Sequence, residues 1–142
     1  MEIVEKKSAG GIVLRGREVL TLYVPDHDET VFPKGTIEEG ETSETAAVRE
    51  VLEETGYHTE IVARLSSSEY EFEEGGKHFR KTVVFYLMRL LDEDETAKPQ
   101  PESHEVFENL WLDSREAMNR LTHDANKSLL QQALGLTSSL QE

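Results

Sequence analysis

The chain has 142 residues, with 29 acidic against 15 basic side chains for a formal net charge of -14, and it contains no cysteine. That length suits one domain (1–142) with a substantial core, and that charge opposes a broad electrostatic grip on nucleic acid or an anionic membrane. Disulfides and thiolate metal sites are excluded. The polar start MEIVEKKSAG lacks the apolar heart of a secretion signal and no apolar run nears the roughly 18 residues of a membrane helix, so a cytoplasmic domain is expected.

The segments SAGGIVLRG and EVLTLYV are rich in apolar and β-branched residues and flank Arg15-Gly16-Arg17, which predicts two strands joined by a tight turn. A helix is expected next, capped by Thr42 or Ser43 and stopped at Gly56. EIVARLSSSEYEFEE and KTVVFYLMRLL then flank Gly75-Gly76 and predict a hairpin. The polar run from Asp92 to Ser103, with Pro99 and Pro101, reads as a surface loop, and VFENLWLD as a last strand that puts Trp111 in or near the core. A short helix is expected from Ser114 through Leu121. Another, from about Ala125, sets Leu129, Leu130, Ala133 and Leu134 along one face before Gly135. Strands, helix, strands, helices in that order predict a mixed sheet covered by helices.

The middle helix is unusual in its charge. Wound at about 100° per residue, Ala47, Val48, Val51, Leu52 and Thr55 share one side while Glu50, Glu53 and Glu54 share the other. A solvated acidic face is the simplest reading, but it is a costly one. Glutamates three and four apart repel by a few tenths of a kcal/mol per pair, and near a helix C-terminus each loses roughly 0.3 to 1 kcal/mol to the macrodipole. A divalent cation reverses the sign of all these terms, and hard oxygen ligands suit Mg²⁺ or Mn²⁺.

Gly35, five residues, Glu41, seven residues, Arg49-Glu50, Val51, one residue, Glu53-Glu54, one residue, Gly56 and Tyr57 together resemble the complete signature box of the Nudix hydrolases. Tyr57 is the departure, standing where that family usually has an aliphatic residue. SAGGIVLR and ENLWLDSREA are also similar to family segments, so the resemblance covers most of the chain. It implies an α/β/α sandwich with a mixed central sheet, and Mg²⁺-dependent attack of water on a phosphorus of a nucleoside diphosphate derivative. It further implies Glu50, Glu53 and Glu54 as metal ligands, the Gly35 carbonyl completing the metal sphere, and Arg49 with Glu41 as a structural ion pair. Either Glu50 or Glu105 serves as general base. Glu105 is similar to a family carboxylate that reaches the metals or the water, with an ordinary loop acid as its alternative and Glu102 as its rival.

FPKG, YEF at Tyr70 to Phe72, and KTVVFYLM look like the branch that hydrolyses diadenosine polyphosphates. On that resemblance Lys34 and Lys81 meet phosphates, and Tyr70 or Phe72 stacks on adenine. The alternatives are solvated lysines and rings that pack the sheet. Thr30, where many such sequences carry Trp, is a departure. The other substrates in view are nucleoside triphosphates, RNA 5′ diphosphates and diphosphoinositol phosphates; a non-catalytic nucleotide-sensing module is the alternative from another class. The partner expected is a small nucleotide, and the oligomeric state is open. The five histidines lack zinc spacing and read as surface or core residues.

Overall fold

The computed structural model describes residues 2–92, 94, 96 and 106–140. Its elements in chain order are β1 (Ile3–Arg15), β2 (Glu18–Val24), β3 (Glu29–Val31), β4 (Lys34–Thr36), α1 (Ser43–Thr55), β5 (Thr59–Glu74), β6 (Lys77–Leu90), β7 (Glu108–Asp113), α2 (Ser114–Arg120) and α3 (Asp124–Leu140). The sheet has the strand order β3-β2-β1-β6-β5, with β4 paired to β1 and β7 to β2. It is mixed because β1 and β6 run parallel, in register from Ile3 opposite His78 to Leu14 opposite Arg89.

Alternation along the strands divides the core in two. Ile12, Val83, Phe85 and Leu87 face one way and pack with Ala117, Leu121, Leu130 and Ala133 of the α2–α3 region. Val13, Val84, Tyr86 and Met88 face the other way and pack with Ala46, Ala47 and Val51 of α1. The result is the expected α/β/α sandwich.

Helix α1 begins where Thr42 caps it, its hydroxyl accepting from the Thr45 N–H at 3.1 Å. It ends at Gly56, whose left-handed φ of 81° lets its N–H reach the Leu52 carbonyl at 2.8 Å. Ala47, Val51 and Thr55 are buried as expected, and Ala46 joins them. Tyr86, buried at 1% exposure, anchors the helix start through its hydroxyl, which lies 2.6 Å from Ser43 Oγ and 3.1 Å from Glu44 Oε1. Tyr57 fills the place of an aliphatic residue by packing edge-on against Trp111, with centroids 5.4 Å apart, while its hydroxyl accepts from the indole N–H at 3.0 Å.

Several boundaries differ from expectation. The helix expected to stop at Gly135 runs on to Leu140, and partly buried Leu134 and Leu136 keep it on the core past the glycine. β1 starts at Ile3 and β6 at Lys77, earlier than their apolar segments, because each supplies hydrogen-bond partners to the other along its whole length. The hairpin turn is Gly75-Gly76 as read, both with positive φ, which suits a two-residue turn. Beyond Leu65 and Val83 the hairpin and the start of β1 form a three-stranded arm. Most of the Asp92–Ser103 loop lies outside the described residues.

Candidate metal and phosphate site

Residues on the outer side of α1 are not solvated as a bland acidic face would be. Glu50 and Glu41 keep 13% and 15% side-chain exposure, Arg49 24% and Glu53 30%. β4 causes this enclosure. Strand pairing of Gly35 with Ala9 holds β4 against β1 and beside the helix, and a Cβ on Gly35 would fall 2.1 Å from the Glu50 carboxylate. Only glycine permits that approach.

Arg49 organises the carboxylates around it. Its Nε and Nη2 grip the Glu41 carboxylate at 2.8 and 2.9 Å in the two-pronged geometry that makes such pairs strong, and Nη2 also donates to the Thr36 carbonyl at 2.9 Å. Its Nη1 donates to Glu50 at 2.8 Å and to Glu53 at 3.1 Å. Glu41 thus takes the Nε and Nη2 edge of the guanidinium, and Glu50 and Glu53 take Nη1. Its hydrogen bonds from Arg49 and from the Glu38 N–H hold its carboxyl below the ordinary range.

Glu54 has no such cation of its own. Its Oε2 accepts from the Lys34 backbone N–H at 3.1 Å. Burial, followed by the charge of Glu50, pushes its carboxyl up to about 8, with the Lys34 N–H and ammonium opposing. Glu50 is also raised, by burial first, against the pull of Arg49. Lys34 is held below the usual lysine range by burial and by the adjacent Lys81 ammonium. Two ammonium groups thus crowd together beside a carboxylate that resists ionising, an arrangement that favours an anion over the lysines and a cation over Glu50 and Glu54.

The donor set fits a hard divalent cation: the acid groups are all oxygen donors, and Gly35 leaves the space in which the Glu50 carboxylate sits. Among the described residues no three acid or imidazole groups are gathered closely enough to hold an ion, and Arg49 Nη1 donates to both Glu50 and Glu53. Placing an ion on all three acids requires that hydrogen bonding to loosen.

A cleft of 560 Å³ runs from this wall across the sheet face that carries α3. Leu22, Val24, Phe32 and Leu129 give it apolar sides, Lys34 and Glu54 join the lining, and so does half-exposed Tyr70. Lys81 stands opposite Tyr70 in the β5–β6 register, on the same face. Phe72 does not line the cleft; its ring stacks on Phe79 at 5.1 Å and 20°. Glu105 lies outside the described residues, as do Glu102 and His104. Thr30 is buried and ties β3 to the α2–α3 turn through Thr122, whose hydroxyl accepts from its N–H at 2.9 Å. His27 and His123 are exposed, in keeping with the surface reading, and both also line the cleft, with Glu29 and Asn126. His123 lies 3.4 Å from Glu29, a residue 94 positions away, so no spacing pattern could have paired them.

A NUDIX domain model matches residues 5–133. The putative mutator protein MutT4 of Mycobacterium tuberculosis (strain CDC 1551 / Oshkosh) is 36% identical over 151 residues, covering 99% of this chain and 59% of that protein. The 8-oxo-(d)GTP phosphatase of Mycolicibacterium smegmatis is 30% identical over 113 residues, covering 80% of this chain and 32% of that one. The chain thus spans little more than half of the first relative and about a third of the second. Among solved structures, a C. elegans Ap4A hydrolase in a binary complex superposes with a TM-score of 0.72 at 25% identity, covering 94% of this chain and 98% of that chain. No helix among the described residues is long and apolar enough to cross a membrane. With the domain model spanning nearly all of it and Glu54 of the acid-bearing helix in the lining of the cleft, the chain belongs to the Nudix family.

Proposed function

We propose that this domain hydrolyses a dinucleoside polyphosphate such as diadenosine tetraphosphate, releasing ATP and AMP, in the presence of Mg²⁺. The observation that carries the reading is the meeting of Glu54 and Lys34 in the lining of the cleft, with Lys81 beside Lys34. The apolar part of the cleft suits a nucleoside, and the two lysines suit phosphates, which a chain of net charge -14 would otherwise repel. Glu50, Glu53 and Glu54, with the Gly35 carbonyl, are the residues proposed to hold Mg²⁺, or Mn²⁺ in its place. The bound ion lowers the pKa of water and offsets charge on the phosphoryl oxygens. Arg49 and Glu41 fix the carboxylates in place. Glu50, raised by burial, is suited to take the proton of the attacking water, and Glu105 is the other candidate for that role. Tyr70, half-exposed in the cleft lining, offers a ring to a base.

Sanitising hydrolysis of nucleoside triphosphates is the second reading, favoured by the likeness to the mutator protein and the 8-oxo-(d)GTP phosphatase. Chromatography of products from diadenosine tetraphosphate, ADP-ribose, dGTP and 8-oxo-dGTP, each with Mg²⁺ and a Glu54→Gln control, separates the two. ATP plus AMP, absent from the control, is the expected result. Turnover of the triphosphates alone would replace the first reading with the second.

A further inference from the structure

The arm beyond the helices sorts its side chains by face. Residues paired across neighbouring strands point the same way. Val4 pairs with Phe79 and Lys6 with Lys81 in the parallel ladder, while Phe72 pairs with Phe79 and Tyr70 with Lys81 in the antiparallel one. These six residues therefore share one face. It is the face of Ser68 and Val83, which pair with each other and line the cleft. The opposite face carries Glu5, Glu69 and Glu71, gathered on Arg80 within 3.6 Å. On the cleft-side face rings and lysines fill the stretch from Phe72 and Phe79 inward, and a carboxylate, Glu74, stands at the tip opposite Lys77.

Cross-strand packing explains part of this. Phe72 stacks on Phe79, Tyr70 tilts toward Phe72 at 6.1 Å, and Lys6 Nζ lies 4.8 Å from the Phe79 ring. Yet Tyr70 stays 48% exposed and Val4 37% exposed. The described hydrogen bond from α3 to β5 stops at Ser66, whose N–H donates to Gln132 Oε1 at 2.9 Å, short of these residues. The stack runs without a break into the cleft at Tyr70, with Lys81 opposite it and beside Lys34, so the face continues the cleft rather than ending in a patch of its own.

We infer that Val4, Lys6, Tyr70, Phe72, Phe79 and Lys81 form a second subsite, continuous with the cleft, for the far nucleoside and outer phosphate of a two-ended nucleotide. This rests on the dinucleoside polyphosphate reading and adds to it a discrimination: one base occupies the cleft, the phosphates pass Lys34 and Lys81, and the other base lies on the arm. Planar bases stack on aromatic side chains whatever their sequence, and ammonium groups reward phosphates. Mononucleotides reach only the cleft.

Titration calorimetry in Mg²⁺, on a Glu54→Gln background that preserves the ligand from turnover, tests the inference with diadenosine tetraphosphate and ATP as probes. The expected result is at least about tenfold tighter binding of the two-ended probe. Adding Lys6→Gln or Phe79→Leu is expected to remove most of that advantage and to leave the ATP affinity within about twofold. Thermal melts identify any variant that fails to fold, and the charge change at Lys6 reports independently of the ring. Equal affinity for the two probes, binding of neither, or losses shared equally by both would overturn it. Failure of the wild-type domain to cleave the two-ended compound would sink the substrate reading alone, since the titration detects binding without turnover.

Discussion

Two acidic regions of this molecule carry the same residue type and behave in opposite ways. On the outer face of the arm, Glu71 accepts from His78 Nε2 and from Arg80, and those hydrogen bonds hold its carboxyl below the ordinary range. On α1, Glu54 is pushed up to about 8 by burial and by Glu50. Arm acids are exposed and matched to cations, so their charge is settled within the chain. On α1 one guanidinium, already committed to Glu41, also serves Glu50 and Glu53, while buried Glu54 has the Lys34 N–H and ammonium beside it, so this cluster is proposed to draw positive charge from outside. Enclosure and an unmet need for positive charge mark a site; a count of glutamates does not.

The largest expected break in that contrast comes from Glu54→Gln, which should lower kcat/KM about a thousandfold, roughly 4 kcal/mol of transition-state stabilisation. Glu71→Gln should leave it within about twofold. Steady-state kinetics on the best substrate of the panel measures both. Next comes Arg49→Lys, which keeps the charge and loses the fork that serves Glu41, Glu50 and Glu53. A drop of about 30-fold in kcat is expected, with a lower Tm, because lysine cannot hold three carboxylates at fixed angles. Gly35→Ala should cost about 1–3 kcal/mol of stability and weaken Mn²⁺ binding, since its methyl group would displace the Glu50 carboxylate. Denaturant melts and metal titration check the two effects.

The same contrast predicts a pH dependence. A carboxyl raised on folding stabilises the folded state fully below its unfolded value and loses that contribution as pH rises through its folded value. Metal-free wild-type protein should therefore lose Tm between about pH 5 and 8 through Glu54, and Glu54→Gln should flatten the fall. Mg²⁺ should raise the wild-type Tm at pH 8 and have little effect at pH 5, where the proton competes. The smallest effect concerns the arm: Arg80→Gln should leave Tm nearly unchanged, since its ion pairs are largely solvent-exposed.

Local signals were legible in the sequence wherever one residue type sets one backbone geometry. Thr42 and Gly56 bound α1 as read, and Gly75-Gly76 turn the hairpin, because capping and positive φ are decided within a few residues. The three-residue strands β3 and β4 left no trace: each is too short for a periodic pattern, and Pro33 stands between them. Yet β4 is what brings Gly35 to Glu50 and the Lys34 N–H to Glu54. The carboxylate face of α1 could be wound from its spacing, but its enclosure could not, because the enclosing residues belong to another element. Gly135 misled for a related reason. A glycine costs a helix about 1 kcal/mol, and partly buried Leu134 and Leu136 on either side offset that cost. The cleft wall at His27, Glu29, His123 and Asn126 joins segments far apart in the chain, and only the fold brings them together.

The acids of α1, unlike those of the arm, are proposed to hold a divalent cation. Titration of Mn²⁺ followed by electron paramagnetic resonance, on wild-type, Glu54→Gln and Glu71→Gln proteins, tests it most directly. Binding should weaken at least about tenfold in Glu54→Gln and stay unchanged in Glu71→Gln. Equal binding by wild type and Glu54→Gln, or a loss confined to Glu71→Gln, would contradict it.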